Sequence, residues 1–315
     1  MNELLEKFRE YLIKKKKPYV ESIARDLNIE EYQVYGLLEM LKKQGYMFDI
    51  QDGKVVKVKP VKENEVYKIP NNLDHIKLLM ISDTHLGSKY DRLDILRYLY
   101  AKAEEKGVNY VLHSGDLTEG FSGRPEQIYE LKEHSYTGQR DYVVKNYPES
   151  NIPTYIIAGN HDFWWFKKCG ADIVKDICDK REDLHYLGSD CEDLEIGKLR
   201  IRMFHGIGGS SYAKSYKMQK YLDSIPVEER PHILQTGHIH QAFYMKQGKT
   251  HCFQTSCLQD LTPYERSNGF SNDKSCWWID VYMDKKGNPI EIEQKLETFG
   301  EKLLKKRRWG DSYAV

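Results

Sequence analysis

Three stripes of apolar residues at helical spacing open the chain, on residues 4–12, 23–27 and 34–41. Because apolar residues three and four positions apart share one face of a helix, this pattern predicts three amphipathic helices. Two short β-rich stretches follow, on either side of Asp52-Gly53. Asp-Gly between alternating apolar residues favours a tight hairpin, so the first sixty residues are predicted to form one small unit.

Three helices followed by a hairpin resemble a winged helix-turn-helix domain over about residues 1–60. This segment holds twelve Lys/Arg and ten Asp/Glu and is therefore only weakly basic. The third helix, where a DNA reader would place its base contacts, offers a mixed set of side chains: Glu31, Tyr32, Gln33, Tyr35, Lys42 and Lys43. Two roles stay open for this unit, DNA binding and dimerisation or protein docking.

The rest of the chain divides by composition into three parts. Residues 61–74 are polar, contain Pro70 and follow Pro60, and we predict a linker there. Strand-like runs alternate with helical stretches over residues 75–300, which predicts an α/β domain. Residues 301–315 form a basic tail. The length of 315 residues agrees with about two domains at roughly 150 residues each.

Five apolar runs of the second predicted domain each end in polar side chains that can bind a ligand. These side chains are Asp83 and His85; Asp116; Asn160, His161 and Asp162; His205; and His238 and His240. In α/β sheets, ligand sites gather beyond the carboxyl ends of the strands, so we expect all five clusters to converge on one edge. Neighbouring glycines allow the sharp turns that such an edge needs.

The donor types indicate which ion such an edge would hold. Seven of the side chains offer imidazole nitrogen or oxygen and no thiolate: Asp83, His85, Asp116, Asn160, His205, His238 and His240. This set favours borderline-to-hard divalent ions, with Mn first and Fe, Zn, Mg or Ni as alternatives. Seven ligands exceed one tetrahedral site and suit two ions that share a carboxylate. Two such ions about 3.5–4 Å apart can clamp a phosphoryl group.

The motifs SDTHLG, GDLTEG, GNHD, FHG and GHIH occur in this order and resemble the five signatures of the calcineurin-like metallophosphoesterase superfamily. The resemblance covers about residues 75–300 and implies an α/β fold of four layers, a β-sandwich flanked by helices. It also implies the following ligands: Asp83, His85 and His240 for one ion, Asn160, His205 and His238 for the other, and Asp116 as the bridge.

The same resemblance implies a mechanism. His161 would contact the scissile phosphate and stabilise charge or protonate the leaving group, and Asp162 would orient its imidazole. A metal-bridging hydroxide would attack in line, without a covalent enzyme intermediate. Glu119 departs from the Asp or Asn that many members carry at this position, and we expect it outside the metal ligands.

Three features favour nucleic acid, and DNA in particular, as the substrate. SDTHLG is most similar to the motif of the SbcD-type DNA-repair nucleases, a winged-helix-like unit precedes it, and aromatic residues follow GNHD. The candidate substrate contacts are Trp164, Trp165, Arg124, Lys214, Lys217 and Tyr264. Since only 75 residues follow His240, too few for the capping domain of those nucleases, an ATPase partner is left open.

Two other functions remain open. One is a phosphodiesterase for small cyclic or linear nucleotides, whose N-terminal unit forms a homodimer. The other is a DNA-binding regulator that uses a phosphoesterase fold as a scaffold. The complete ligand set argues against the regulator.

Composition excludes further classes. Lys and Arg number 48 and Asp and Glu number 48, so bulk charge does not drive binding to polyanions. The sequence contains no apolar run near the ~20 residues of a membrane helix and begins with mixed charges, so we expect a cytoplasmic protein without a membrane partner. The six cysteines form no CxxC pair, and we expect reduced thiols.

Overall fold

The computed structural model describes residues 2–15, 17–43, 48–57, 66–206, 208 and 213–300. They form two compact units that divide between Glu65 and Val66. The elements of the first unit are α1 (Asn2–Lys14), α2 (Val20–Leu27), α3 (Glu31–Lys43), β1 (Phe48–Gln51) and β2 (Lys54–Lys57).

The first unit has its own small core. Phe8, Ile23 and Leu41 are fully buried in it, one from each helix. β1 and β2 pair antiparallel, and Asp52 and Gly53 both have left-handed backbone at the turn, as a two-residue hairpin requires. The three helices and the hairpin lie where the apolar pattern predicts them. Whether the unit is a winged-helix domain and what it binds stay predictions.

The second unit contains two mixed six-stranded sheets. Sheet I has the order β14-β13-β4-β5-β6-β7, and sheet II has the order β11-β12-β10-β9-β8-β3. The strands are β3 (Tyr67–Ile69), β4 (His75–Ile81), β5 (Tyr110–His113), β6 (Thr154–Ala158), β7 (Leu184–Ser189), β8 (Cys191–Ile196), β9 (Leu199–Phe204), β10 (Ile233–Thr236), β11 (Phe243–Gln247), β12 (Thr250–Gln254), β13 (Ser275–Met283) and β14 (Pro289–Thr298). The helices are α4 (Leu93–Lys106), α5 (Tyr136–Asn146), α6 (Asn160–Cys169), α7 (Ile173–Cys178), α8 (Tyr216–Asp223) and α9 (Pro263–Ser267), with a 3₁₀ turn at Pro125–Tyr129.

The apolar side chains of the second unit arrange these elements in four layers. Because successive strand residues face opposite sides, Leu78 and Met80 of β4 pack against sheet II, whereas Leu79 and Ile81 pack beneath α4 and its neighbouring helices. On the far side of sheet II, α8 packs against β10 and β12 through a separate apolar cluster. The α/β fold class and its two sheets between helices are thereby confirmed.

Part of the predicted linker belongs to the second unit. Tyr67–Ile69 form β3, which pairs parallel with β8 at the end of sheet II. Tyr67 packs its ring 5.4 Å from that of Tyr155, a long-range contact that the polar composition of this segment does not reveal. Residues 61–65 and the predicted basic tail, 301–315, lie outside the described residues.

Two further findings concern membrane-spanning helices and the cysteines. In the part of the chain that the structure describes, every helix is too short or too polar to span a lipid bilayer. The six cysteines are free thiols, and four of them are buried.

Candidate metal centre

The polar clusters meet because the strands before them are neighbours. β4, β5 and β6 run parallel in sheet I, and β9 and β10 run parallel in sheet II. The loops beyond β4 and β5 then lie side by side: the Asp83 amide donates to the Gly115 carbonyl at 2.9 Å, and the His85 amide donates to the Asp116 carbonyl at 3.1 Å. The edge of the two sheets therefore gathers all five clusters.

Five of the predicted ligands have left-handed backbone. They are Asp83 (φ 50°), His85 (φ 45°), Asp116 (φ 52°), His238 (φ 77°) and His240 (φ 52°). Such a conformation costs a residue other than glycine about 1–2 kcal/mol. It reverses the chain immediately after a strand and turns the side chain toward the common edge.

Asp83, His85 and His240 form the first group. The Nε2 atoms of His85 and His240 lie 3.1 Å apart, and the Asp83 Oδ1 atom lies 3.9 Å and 3.4 Å from them. Two imidazole nitrogens at this distance repel each other unless a proton or a cation lies between them. The three donor atoms lie within 4.8 Å of one another and could hold a metal ion.

Asp116, His205 and His238 form the second group, and Asn160 lies beside it. The Nε2 atom of His205 is 3.2 Å from Asp116 Oδ2 and 3.0 Å from Asn160 Oδ1. The same Asp116 Oδ2 atom is 3.9 Å from Nε2 of His85, in the first group. The Asp116 carboxylate thus faces both groups, as a bridging ligand would.

Each of the four ligand imidazoles has one nitrogen near an acceptor outside the centre. The pairs are His85 Nδ1 with Glu119 Oε2 (3.2 Å), His205 Nδ1 with the Ser114 carbonyl (2.8 Å), His238 Nε2 with the Gly208 carbonyl (2.9 Å) and His240 Nδ1 with Glu265 Oε1 (2.7 Å). A nitrogen that donates outward leaves the other nitrogen unprotonated in the neutral ring. The second nitrogen is then available to a metal ion, an arrangement typical of histidine ligands.

The charges of the centre fit a divalent cation. Burial alone would raise the pKa of Asp83, but the hydrogen bond with His240 holds it at about 2. Burial disfavours the charged form of His205 as well and by itself would lower its pKa, but the Asp116 carboxylate raises that pKa to about 10. A proton on His205 therefore supplies positive charge that the buried carboxylates require. Divalent ions would supply it instead and release that proton.

His161, the predicted catalytic residue, is held from two sides. Its Nδ1 donates to the Glu119 carbonyl at 2.8 Å, and its ring lies 3.9 Å from the Trp164 ring. The backbone of Gly120 passes close to the His161 carbonyl: its φ is 67°, and a Cβ there would lie 2.1 Å from the carbonyl oxygen. Only glycine fits at this position. Since Nδ1 is engaged, Nε2 is the atom with which His161 can exchange a proton.

Asp162 does not orient His161, contrary to the prediction. Its carboxylate accepts hydrogen bonds from the amides of Leu117, Thr118 and Gly159, at 3.1, 2.8 and 3.0 Å, and from the Thr118 hydroxyl at 2.8 Å. The side chain points under the loop after β5 because that loop presents several unpaired N–H groups to it. Asp162 therefore joins the Asp116 loop to the start of α6.

Two buried glutamates next to the ligands were missed as site residues. Glu119 also accepts from Gln127 and Gln259, at 3.2 and 3.1 Å, which fixes its carboxylate beside His85. Glu265 was not predicted at all. Its one sequence signal is the T-x-x-E capping box of Thr262 to Glu265, which accounts for one carboxylate oxygen and leaves the other to His240.

Trp165 is not available for stacking on a substrate, contrary to the prediction. Its side chain is 5% exposed, packs in the core beneath α5 and α6, and donates from Nε1 to Gln139 at 3.1 Å. Trp164 instead lies on the His161 ring. Tyr136 and Gln139 of α5 contact Trp165 and bury this side of α6, and these contacts are not evident in the sequence.

The other predicted substrate contacts lie in two places. The Arg124 guanidinium stacks 3.8 Å from the centre of the Tyr264 ring, next to Glu265. Lys217 of α8 reaches Gly208, whose carbonyl accepts from His238, and Lys214 is exposed in the preceding turn. Residues 207 and 209–212 of this lysine-bearing segment lie outside the described part of the chain.

The sequence matches known proteins across this region. The family model of the calcineurin-like phosphoesterase superfamily domain matches residues 76–255, more than half of the chain. The DNA polymerase II small subunit of Thermoplasma acidophilum is 22% identical over 65% of this chain and 50% of its own length. That of Methanothermobacter thermautotrophicus is 21% identical over 59% and 48%. The UDP-2,3-diacylglucosamine hydrolase of Psychromonas ingrahamii is 27% identical over 47% and 54%.

Among solved structures, an archaeal phosphodiesterase is 17% identical with a TM-score of 0.43, covering 70% of this chain and all of its own. The phosphoesterase Yfce from E. coli is 15% identical with a TM-score of 0.34, covering 69% of this chain and 98% of its own. The chain spans about half the length of the curated relatives it matches.

Proposed function

Because the chain belongs to the calcineurin-like phosphoesterase superfamily, we propose that it is a two-metal-dependent phosphodiesterase that hydrolyses nucleic acid, with DNA as its substrate. The observation that carries the two-metal proposal is the Asp116 carboxylate, which faces one group of donor atoms on each side. Membership in the superfamily itself indicates a phosphoester hydrolase, and the buried donors could hold divalent metal.

The donor set divides between two ions. Asp83, His85 and His240 would hold one, and Asn160, His205 and His238 would hold the other, with Asp116 shared. Divalent ions bound there would activate water and neutralise the phosphoryl oxygens, and Mn²⁺ is our first choice. Glu119 and Glu265 fix the rings of His85 and His240 from outside, so the ligand nitrogens need little reorganisation when an ion binds.

His161 would act on the leaving group. The Glu119 carbonyl accepts from its Nδ1, and Trp164 covers one side of the ring, so that Nε2 is fixed in direction. A protonated Nε2 can donate a hydrogen bond to a phosphate oxygen and can give its proton to the oxygen that leaves phosphorus. In the neutral ring, with the proton on Nδ1, Nε2 can only accept. Asp162 supports this chemistry indirectly, because it holds the start of α6 against the loop that carries Asp116.

Nucleic acid is favoured by the relatives and by the N-terminal unit. Two of the curated relatives are named as DNA polymerase II small subunits, which supports DNA as the substrate class. The three helices and hairpin of the first unit would then bind DNA or form a homodimer.

A small nucleotide-containing substrate is the second candidate, since one relative is named as a hydrolase of UDP-2,3-diacylglucosamine. To decide between them, the purified chain is incubated with Mn²⁺ and labelled single-stranded, duplex and hairpin DNA. Parallel reactions contain cyclic nucleotides and bis-(p-nitrophenyl) phosphate, and a chelator provides the metal-free control. We expect cleavage of DNA and of the small diester, both abolished by the chelator.

Two results would contradict the proposal. Cleavage of the small diester but of no polynucleotide would support the second candidate. Binding of DNA without hydrolysis of any diester would support a regulator that uses this fold as a scaffold.

A further inference from the structure

Helix α6 begins at the metal centre and presents different aromatic residues on different sides. Its first residue, Asn160, lies beside His205, and Trp165 is buried in the core. Phe163 and Phe166 lie on the solvent side of the helix, where they are 40% and 47% exposed. Large apolar side chains are normally removed from water, so an adjacent exposed pair requires an explanation.

The rings of Phe163 and Phe166 form one surface, which we call the phenyl pair. Their centroids are 5.3 Å apart and their planes differ by 14°. The pair borders a cavity of about 140 Å³, whose other walls include Asp172 and Ser189. Because the two rings are stacked on each other, the pair offers an outer ring face beside a small cavity with polar walls, and such a site can receive a planar heterocycle.

Positive charge accompanies the phenyl pair. The Lys167 ammonium lies 5.3 Å from the Phe163 ring centre, and the Lys168 ammonium lies 4.6 Å from the ring centre of Phe121. Two carboxylates line the cavity and accept hydrogen bonds there: Asp162 accepts from backbone amides, and Asp172 accepts from the Lys175 amide and the Tyr186 hydroxyl. The cavity wall thus offers acceptors to the edge of a base, and the two ammonium groups offer positive charge to a backbone phosphate. An anion with aromatic groups therefore matches this side of α6 better than an uncharged apolar segment does.

The phenyl pair adjoins the metal centre along the helix. Phe163 follows Asn160 by three residues, so the two side chains occupy neighbouring turns on one face. A strand whose scissile phosphate lies at the centre could thus place an adjacent base on the pair. Inside a duplex both faces of each base are already stacked, so away from a duplex end this position requires an unpaired base.

We infer that the phenyl pair is a stacking site for an unpaired base of the bound DNA strand, with Lys167 beside the strand's backbone. This inference rests on the proposed function and narrows the substrate to DNA with a single-stranded segment at the cleavage site. Phe163 and Phe166 then fill the role that the sequence had suggested for Trp165.

The test uses the full chain and short fluorescein-labelled single strands with phosphorothioate linkages, which slow cleavage during the measurement. Fluorescence anisotropy gives the dissociation constants of the wild type, of a Phe163→Ala/Phe166→Ala variant and of Tyr67→Ala. Tyr67 is a control of similar exposure, 41%, on the edge strand β3. Stacking contributes about 1–3 kcal/mol per base, so we expect the double variant to bind about 5- to 150-fold more weakly and Tyr67→Ala to bind normally.

An abasic strand separates stacking from charge. The wild type is expected to bind it about as weakly as the double variant binds the intact strand, while Lys167→Ala reduces the salt dependence of binding. Hydrolysis of bis-(p-nitrophenyl) phosphate should be unchanged in the double variant, which also shows that it folds.

Failure of the inference differs from failure of the proposed function. If the wild type cleaves DNA but the double variant binds and cleaves single strands as well as the wild type does, the phenyl pair is not a stacking site. Equal wild-type affinity for intact and abasic strands has the same meaning. If the wild type cleaves no polynucleotide, the proposed function itself is wrong.

Discussion

Glu265 Oε1 lies 2.7 Å from His240 Nδ1, at the end of a side chain that is fixed from both directions. The other carboxylate oxygen accepts from the amide and the hydroxyl of Thr262, at 2.9 and 3.1 Å. The capping box of the short helix α9 thus fixes the carboxylate that orients the His240 ring, a candidate metal ligand. Burial would raise the pKa of Glu265, but the His240 contact lowers it to about 2, so the carboxylate stays charged.

Replacing Glu265 with Gln should weaken metal binding while the fold is retained. The amide keeps the size of the side chain but removes the negative charge. That charge makes the His240 imidazole a stronger electron-pair donor to a metal ion. Loss of such a partner typically reduces metal affinity about 10- to 100-fold. Titration calorimetry with Mn²⁺ measures this, with Glu291→Gln on the exposed face of β14 as the control. Equal affinity in the two variants would contradict the role of Glu265.

His161 and Asp116 are expected to fail in different ways. His161→Ala should abolish turnover and leave both ions bound, because its imidazole is assigned to the phosphate and not to the metal. Asp116→Ala should lose metal, since its carboxylate faces both donor groups. Metal content by plasma mass spectrometry and hydrolysis of bis-(p-nitrophenyl) phosphate separate the two outcomes. Full activity of His161→Ala on DNA would show that the residue is not the acid.

Trp164 is expected to position His161 without touching the metal. Because the Trp164 ring lies 3.9 Å from the imidazole, Trp164→Leu removes one of the two contacts that hold His161 and should reduce kcat about 10- to 100-fold. KM and metal content should change little. Trp164→Phe, which restores a flat ring, should recover most of kcat. If Leu and Phe have the same effect, the aromatic surface does not position His161.

Asp162→Asn should destabilise the protein more than an exposed substitution of the same kind. All four groups that contact the carboxylate are donors, so the new amide N–H₂ must face at least one N–H or O–H group. We expect the free energy of unfolding to fall by about 2–4 kcal/mol.

The measurement is urea denaturation at pH 8, because burial raises the pKa of Asp162 to about 6 and its carboxylate is charged at the higher pH. Asp179→Asn, at an exposed ion pair on the surface, is the control and should change stability by less than about 0.5 kcal/mol. A smaller loss for Asp162→Asn than for the control would contradict the hydrogen-bond account.

The features that the sequence predicts well are those determined by residues that lie close together in the chain. The ligands follow strands directly, so the apolar run before Asp83 or His205 is enough to place each at the edge of a sheet. The helices of the first unit likewise follow from local apolar spacing, and the superfamily from the order of five short motifs. All of this information lies within a few residues of each element.

The features that were missed depend on packing between distant segments. Glu265 reaches His240 only because α9 folds back onto the centre, and Trp165 is buried only because α5 covers that side of α6. β3 joins a sheet whose other strands begin more than a hundred residues later. Spacing along the chain carries no signal for such contacts.

Left-handed backbone at five candidate ligands lowers the stability of the fold but places the donor atoms that bind metal. These residues are Asp83, His85, Asp116, His238 and His240. Glycine at any of the five would relieve about 1 kcal/mol or more of backbone strain, and it would remove a donor atom. Ions that bind the folded chain more tightly than the unfolded one would offset this strain, so the melting temperature should rise with metal concentration. A screen for thermal stability in a chelating buffer would therefore select against the catalyst, and the same screen with metal present would retain it.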